Sequence, residues 1–207
     1  MNRLIVEFDG EDVNVDVPTS WDEVNVVQAA RLNDIKIEEG KTEYDYFIEL
    51  ISILVEGIND EIIEGFSEDE YLLVSEWISN FTSEPAPLEK KESINIDGEE
   101  YFIKSDFDNF TTGEIASIKI IEKRFKNIPN YAMPAMLCIM LRKKLPNGKL
   151  ETFKSSFMER EEIFKKAIIT DVNHLFKSFI AGRALSKKNT SDSSLSKKKP
   201  RVQIDIR

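Results

Sequence analysis

Apolar and polar residues alternate strictly in one early stretch of the chain. Val13, Val15 and Val17 are set against Asp12, Asn14 and Asp16. That period of two predicts a half-buried strand. The run "LIVEF" precedes it, and Asp9-Gly10 lies at the join, so the pair reads as a β-hairpin. Pro18 ends the second strand, because proline has no N–H to give to a ladder. A second hairpin is written later, where "SINID" and "EEYFIK" flank Gly98.

Elsewhere the apolar spacing lengthens to the helical period. Asn25 with Gln28 makes a capping box for a helix that begins near Val26 and stops before Gly40. In "EYDYFIELISILVEGI", the residues Phe47, Ile51, Leu54 and Ile58 fall on one helical face. Ser67 with Glu70 caps "EYLLVSEWISNF", whose inner face is Tyr71, Val74, Trp77, Ile78 and Phe81. Thr111 with Glu114 caps "EIASIKIIEKRFKN". "PNYAMPAMLCIMLRKK" reads as a buried helix, kinked or started by Pro134. "LPNGKLETF" reads as a turn with a short strand either side, because Asn147-Gly148 suits a type I′ turn. A long last helix is expected from about Met158 to Ala184, with Ile163, Ala167, Val172, Leu175 and Phe179 on its apolar face.

These elements predict an α+β fold, mostly helical, with two small β-hairpins. The linker "TSEPAPLEKKE", with two prolines and several charges, is the expected internal boundary. The expected organisation is an acidic lobe of hairpin plus helices over residues 1–82, a linker over 83–93, a second such lobe over 94–184, and a basic tail over 185–207. The tail, "SKKNTSDSSLSKKKPR" before a final "VQIDIR", has too few apolar residues to order itself and is expected to be disordered. The lobes share a grammar. The Asp-Gly pairs are 88 residues apart, and the caps Asn25 and Thr111 are 86 apart. Either the halves are a structural duplication or the same turn chemistry was used twice.

Charge adds a polarity to this picture. Residues 1–92 carry 24 acidic and 6 basic side chains, residues 93–182 carry 12 and 14, and residues 183–207 carry 2 and 8. The formal net charge of −10 is thus concentrated in the first half. Such a half repels a polyanion, which disfavours a general nucleic-acid binder. Segregation of charge suits contact between oppositely charged ends of neighbouring copies or partners, and it also suits plain solubility. A homo-oligomer is one expectation. No apolar run has the length of a membrane span, and "MNRLIVEFDG" lacks the form of a signal peptide. The expected location is the cytoplasm.

Chemistry-bearing residues are few. Cys138 sits inside "AMLCIML" and reads as a buried thiol. His174 is the single histidine, so neither a zinc site nor another cofactor site is expected. A Cys138–His174 nucleophilic pair is conceivable but lacks the electropositive, open setting a reactive thiol needs. "DGEDVNVD" lacks the spacing and closing glutamate of an EF-hand loop. The expectation is therefore a non-enzymatic protein. Two features suit partner binding. Trp21 is either an interface anchor or a plug that pins the first hairpin to the first helix. Lys187, Lys188, Lys197, Lys198, Lys199 and Arg201 form a basic arm that could touch nucleic acid or an acidic protein surface.

The string "VPTSWDEV", Val17 to Val24, resembles small proteins encoded in the structural modules of tailed phages of Bacteroidetes, the crAss-like group among them. The resemblance covers Leu4 to about Leu32, and "FDNFTTGE" near the second hairpin is similar in style. It implies a morphogenesis role in the host bacterial cytoplasm, with no catalytic residue to transfer. One form is a virion protein packed in the particle or beside portal, tail or ring components. The other is a tail assembly chaperone that binds a tail protein and leaves. A host-directed enzyme or regulator is the contrasting reading.

Overall fold

Two hairpins with the same turn geometry introduce the two halves of the chain. The computed structural model describes residues 1–36, 38–83, 85, 91–104 and 110–175. Strands β1 (Asn2–Phe8) and β2 (Glu11–Val17) pair antiparallel, with Leu4 opposite Val15 and Val6 opposite Val13. Their turn places Asp9 at φ 53° and Gly10 at φ 79°. Strands β3 (Ser93–Ile96) and β4 (Glu99–Ile103) repeat the arrangement, with Asp97 at φ 53° and Gly98 at φ 81°. Two consecutive left-handed residues define a type I′ turn, whose twist matches that of the strands it joins. Glycine bears that conformation without steric cost, and aspartate tolerates it better than most residues.

The helices are α1 (Val26–Asp34), α2 (Glu43–Leu54), α3 (Asp60–Glu64), α4 (Glu68–Ile78), α5 (Thr112–Arg124), α6 (Met133–Met140), α7 (Glu161–Phe164) and α8 (169–175). The capping boxes at Asn25, Ser67 and Thr111 are all formed, each with side chain and backbone exchanging hydrogen bonds. A fourth, Thr42 with Asp45, opens α2. The architecture is α+β and mostly helical, with one two-stranded and one three-stranded antiparallel sheet among the described residues. Buried side chains of both halves, from Val6 and Val17 through Ile51 and Val74 to Tyr101, Leu137 and Leu175, join in one hydrophobic cluster. Helix α6 lies within it, with every residue buried.

Several expectations are corrected. Helix α6 stops at Met140, where Leu141 turns extended, and Leu141–Arg142 becomes β5 paired to β4. The second hairpin is therefore part of a three-stranded sheet. Pro134 does lie at the start of α6, directly after a 3-10 turn over Pro129–Ala132. Asn147 has no positive φ, so "PNG" is not a type I′ turn. Instead Gly148 N–H closes on Leu145 C=O at 2.8 Å, with Pro146 leading the turn and Gly148 alone left-handed at φ 80°. The flanking strands reduce to a single bridge, Lys144 to Leu150. Helix α2 ends at Leu54, which leaves Ile58 outside it.

The long final helix is also interrupted. A 3-10 segment over Ser155–Arg160 leads into the short α7, and the chain then unwinds through 165–168 before α8. The cause is a backbone exchange with the start of α1. Val26 N–H donates to Ala167 C=O at 2.9 Å, and Ile169 N–H donates to Val24 C=O at 2.9 Å. Residues making these bridge bonds cannot also serve a helical ladder. Ile163, expected on the apolar face, is left exposed by the same break. Phe179, residues 105–109, residues 86–90 of the linker, and the basic arm lie outside the described residues.

Candidate interaction surfaces

Helix α4 presents two faces of different character. Inward, Val74 and Ile78 are buried, with Tyr71 and Trp77 packed beside them. Outward, Asp69, Leu72, Leu73 and Glu76 follow the spacing i, i+3, i+4, i+7 and so make one stripe. Leu72 is 57% exposed and Leu73 40%. The helix carries Glu68, Asp69, Glu70 and Glu76 and no basic residue. The first three oppose the positive end of the helix dipole and stabilise it. Glu76 lies in the last turn, where an anion is unfavourable to the dipole, so helix stability does not explain it.

The segment that follows α4 is held by Trp21. Its ring meets Phe81 edge-on at 5.1 Å between centroids, and its Nε1 donates to Ser83 C=O at 3.1 Å. Asn80 Nδ2 donates back to Thr19 C=O at 3.2 Å. The turn after the first hairpin is thereby latched to the segment that follows α4. Trp21 is half-buried, and both its ring and its N–H are engaged within the chain. These contacts go to the 3-10 turn Ser79–Thr82 and to Ser83, not to α1 as the plug reading expects.

Helix α5 is anchored by a buried ionic cluster. Glu114, in its first turn, is 2% exposed. Its Oε1 accepts from Arg142 Nη2 at 2.7 Å, and both oxygens accept from Lys104 Nζ, at 3.0 and 2.9 Å. Oε2 also accepts from Thr111 N–H at 2.7 Å, which completes the capping box. Arg142 is equally buried. Its Nη1 donates to the Leu141 and Cys138 carbonyls at 2.7 and 3.3 Å. The guanidinium lies 5.2 Å from the Phe153 ring and 5.3 Å from Phe157. Beside it Arg160 covers Phe157 at 3.9 Å and pairs with Glu151.

Burial pushes the Glu114 carboxyl up. The Lys104 ammonium and the Thr111 donors outweigh it and hold the group below its ordinary value. Glu151 behaves alike, with Arg160 and the Lys143 N–H outweighing burial. For Arg142 burial dominates and lowers its value, while Glu114 pulls the other way. Removing such charges from water costs several kcal/mol per ion, so a buried pair of this kind contributes little net stability. What it contributes is position. One carboxylate fixes the start of α5 to β5, to the residue after β4, and to the end of α6.

The outer face of α5 has the same spacing as that of α4 but carries Lys119 and Lys123 where α4 carries only acids, with the exposed Glu122 beside them. Ala116, Lys119, Ile120 and Lys123 lie at i, i+3, i+4 and i+7, with Ile115 alongside. Ile120 is 67% exposed and Ile115 44%. Neither Lys119 nor Lys123 forms an ion pair among the described residues, whereas Arg124 is occupied by Glu161 at 2.7 Å.

Other groups carry little chemistry. Cys138 is fully buried, its thiol is pushed up to about 12 by burial, and it donates to Pro134 C=O at 3.4 Å. Such a thiol lacks the open, electropositive setting of a reactive nucleophile. Among the described residues no group of His, Cys, Asp and Glu could hold a metal ion, and no helix is long and apolar enough to cross a membrane. A surface cleft of about 480 Å³ between α1 and α2 is lined by mixed charges, among them Arg31, Asp34, Lys41 and Glu49, and by Tyr131. Burial and then the Asp34 carboxylate push the Tyr131 phenol up, away from any role as a nucleophile near neutrality.

Of the residues singled out in the sequence, Trp21 is placed as described. Lys187, Lys188, Lys197, Lys198, Lys199 and Arg201 lie outside the described residues. The outer stripes of α4 and α5 were not anticipated, although period-3.6 reading of the solvent side of each helix contains them. Comparison with protein-family models, with curated proteins and with solved structures finds no match for this chain.

Proposed function

We propose that this chain is a non-enzymatic morphogenesis protein of a tailed phage, working by protein–protein contact in the portal–tail region or packaged within the particle. The observation that carries the contact mode is the outer stripe of α4, where Leu72 and Leu73 stand exposed between Asp69 and Glu76. Paired apolar side chains in an acidic frame are a costly surface to leave in water unless a partner covers them. The phage assignment is supported by the likeness of Val17–Val24 to proteins of phage structural modules. The basic arm from Lys187 to Arg201 offers a second, electrostatic contact to an acidic protein surface or nucleic acid.

A tail assembly chaperone is the second reading. The same exposed leucine pair favours it, since a client segment with apolar and basic residues can dock there and leave. Mass spectrometry of purified particles and of infected cells separates the two. Stoichiometric peptides in the particle support the virion component. Expression in cells with absence from particles supports the chaperone. Expression in cells without co-purification of any portal, tail or ring protein overturns both.

A further inference from the structure

We infer that the acidic stripe of α4 docks onto the basic stripe of α5 in a second copy of this chain. The inference rests on the contact mode proposed above and names its partner. Both stripes have the spacing i, i+3, i+4, i+7, and both are solvent-exposed among the described residues. In α4 two leucines are bracketed by Asp69 and Glu76. In α5 Ile120 lies next to Lys119 and one turn before Lys123, with Ala116 completing the stripe and Glu122 on its edge. Set side by side, Leu72 and Leu73 meet the exposed Ile115 and Ile120. The acids Asp69 and Glu76 flank a contact whose nearest charges on α5 are the long Lys119 and Lys123, unpaired among the described residues. Among the described residues neither stripe is covered within one copy: α4 packs on β2 and on the 3-10 turn that follows α4, while α5 packs on α6 and the 3-10 turn before α6.

The basic arm of the same chain is a weaker occupant. It could neutralise α4, yet it would leave the basic α5 stripe uncovered, and it offers few apolar side chains to Leu72 and Leu73. A second copy satisfies both stripes at once. Each helix also arrives held at one end, α4 through the Trp21 latch on the segment that follows it and α5 through the Glu114 cluster, which limits the ordering cost of association. Because the two faces differ, the contact is heterologous and passes from copy to copy, closing into a ring or running on as an open assembly according to the rotation it imposes.

Sedimentation velocity on the full chain tests this. The mass is expected to rise with concentration at low salt and to fall in 1 M salt, where the Debye length shrinks to about 3 Å. Asp69→Lys with Glu76→Lys, and separately Lys119→Glu with Lys123→Glu, should each weaken association about tenfold or more by turning attraction into repulsion. The chain carrying all four substitutions should associate again, a recovery that misfolding cannot mimic. Changing the six basic residues of the arm to Gln should leave association in place. A chain that stays monomeric, charge reversals without effect, failure of the fourfold variant to recover, or loss on neutralising the arm each overturns the inference. None of these results bears on whether the protein is found in particles, so the wider reading stands or falls separately.

Discussion

Arg142 reaches Glu114 across 28 residues of sequence and joins Nη2 to Oε1 at 2.7 Å, with both side chains buried. One residue belongs to a two-residue strand and the other to the first turn of α5. The contact therefore decides how a helix sits on a sheet, and its removal is felt at both.

Glu114→Gln should destabilise the protein by about 3–5 kcal/mol, because Arg142 is left as a buried cation without its counter-charge. Glutamine still serves a capping box, so the loss reports the charge and not the cap. Replacing Glu114 by Leu together with Arg142 by Met should cost less than the single change. Urea denaturation followed by circular dichroism measures both.

Stability should decline on the acid side. Glu114 and Glu151 are both held below the ordinary carboxylate value in the folded chain. Their contribution is fully present above the unfolded value, about pH 4.3, and is lost as pH falls through the lower folded values. The urea midpoint should thus be flat from neutrality to about pH 5 and fall below about pH 4. Glu114→Gln should make that fall shallower.

Trp21→Phe should cost about 1 kcal/mol, the worth of the Nε1 hydrogen bond to Ser83, while keeping an aromatic edge against Phe81. Trp21→Ala should cost roughly 3 kcal/mol, since the ring contact is lost as well. Amide hydrogen exchange should show loosening around Ser79–Thr82 in the alanine variant, ahead of any change in α5.

Cys138 should resist alkylation in the native state. Its thiol is buried and pushed up to about 12, so labelling by a water-soluble maleimide should follow unfolding and not surface exposure. Labelling rate against urea concentration should track the unfolded fraction measured by circular dichroism. Fast labelling of the folded protein contradicts the buried placement.

The local grammar of this fold was legible in the chain. Asp9-Gly10 and Asp97-Gly98 signal their turns, and Asn25, Ser67 and Thr111 signal helix starts, because each motif is satisfied by neighbours within three residues. What escaped depends on residues far apart. Glu114 reads as a cap; its burial follows from Arg142 and Lys104. "LRKK" reads as a helix end; its arginine is drawn inward by a carboxylate and two phenylalanines. The 158–184 segment has helical periodicity throughout, yet Ala167 and Ile169 give their backbone to Val24 and Val26. Thr42 with Asp45 was missed for a simpler reason, since aspartate is a less familiar closing residue than glutamate or glutamine. The outer stripes of α4 and α5 hold only two exposed apolar side chains each, too few to stand out as a face from periodicity alone.

The bridge between Asn25 and Ile168 also bears on the order of events during synthesis. The opening turn of α1 leaves the ribosome long before its backbone partners at 167–169 are made. Until then the Val26 amide and the Val24 carbonyl must be served by water. The first half can collapse and cap its helices, but it cannot finish. Pairings so distant in sequence are slow to close. A ribosome-stalled chain released before Ile169 should therefore remain a better chaperone substrate than one released just after it.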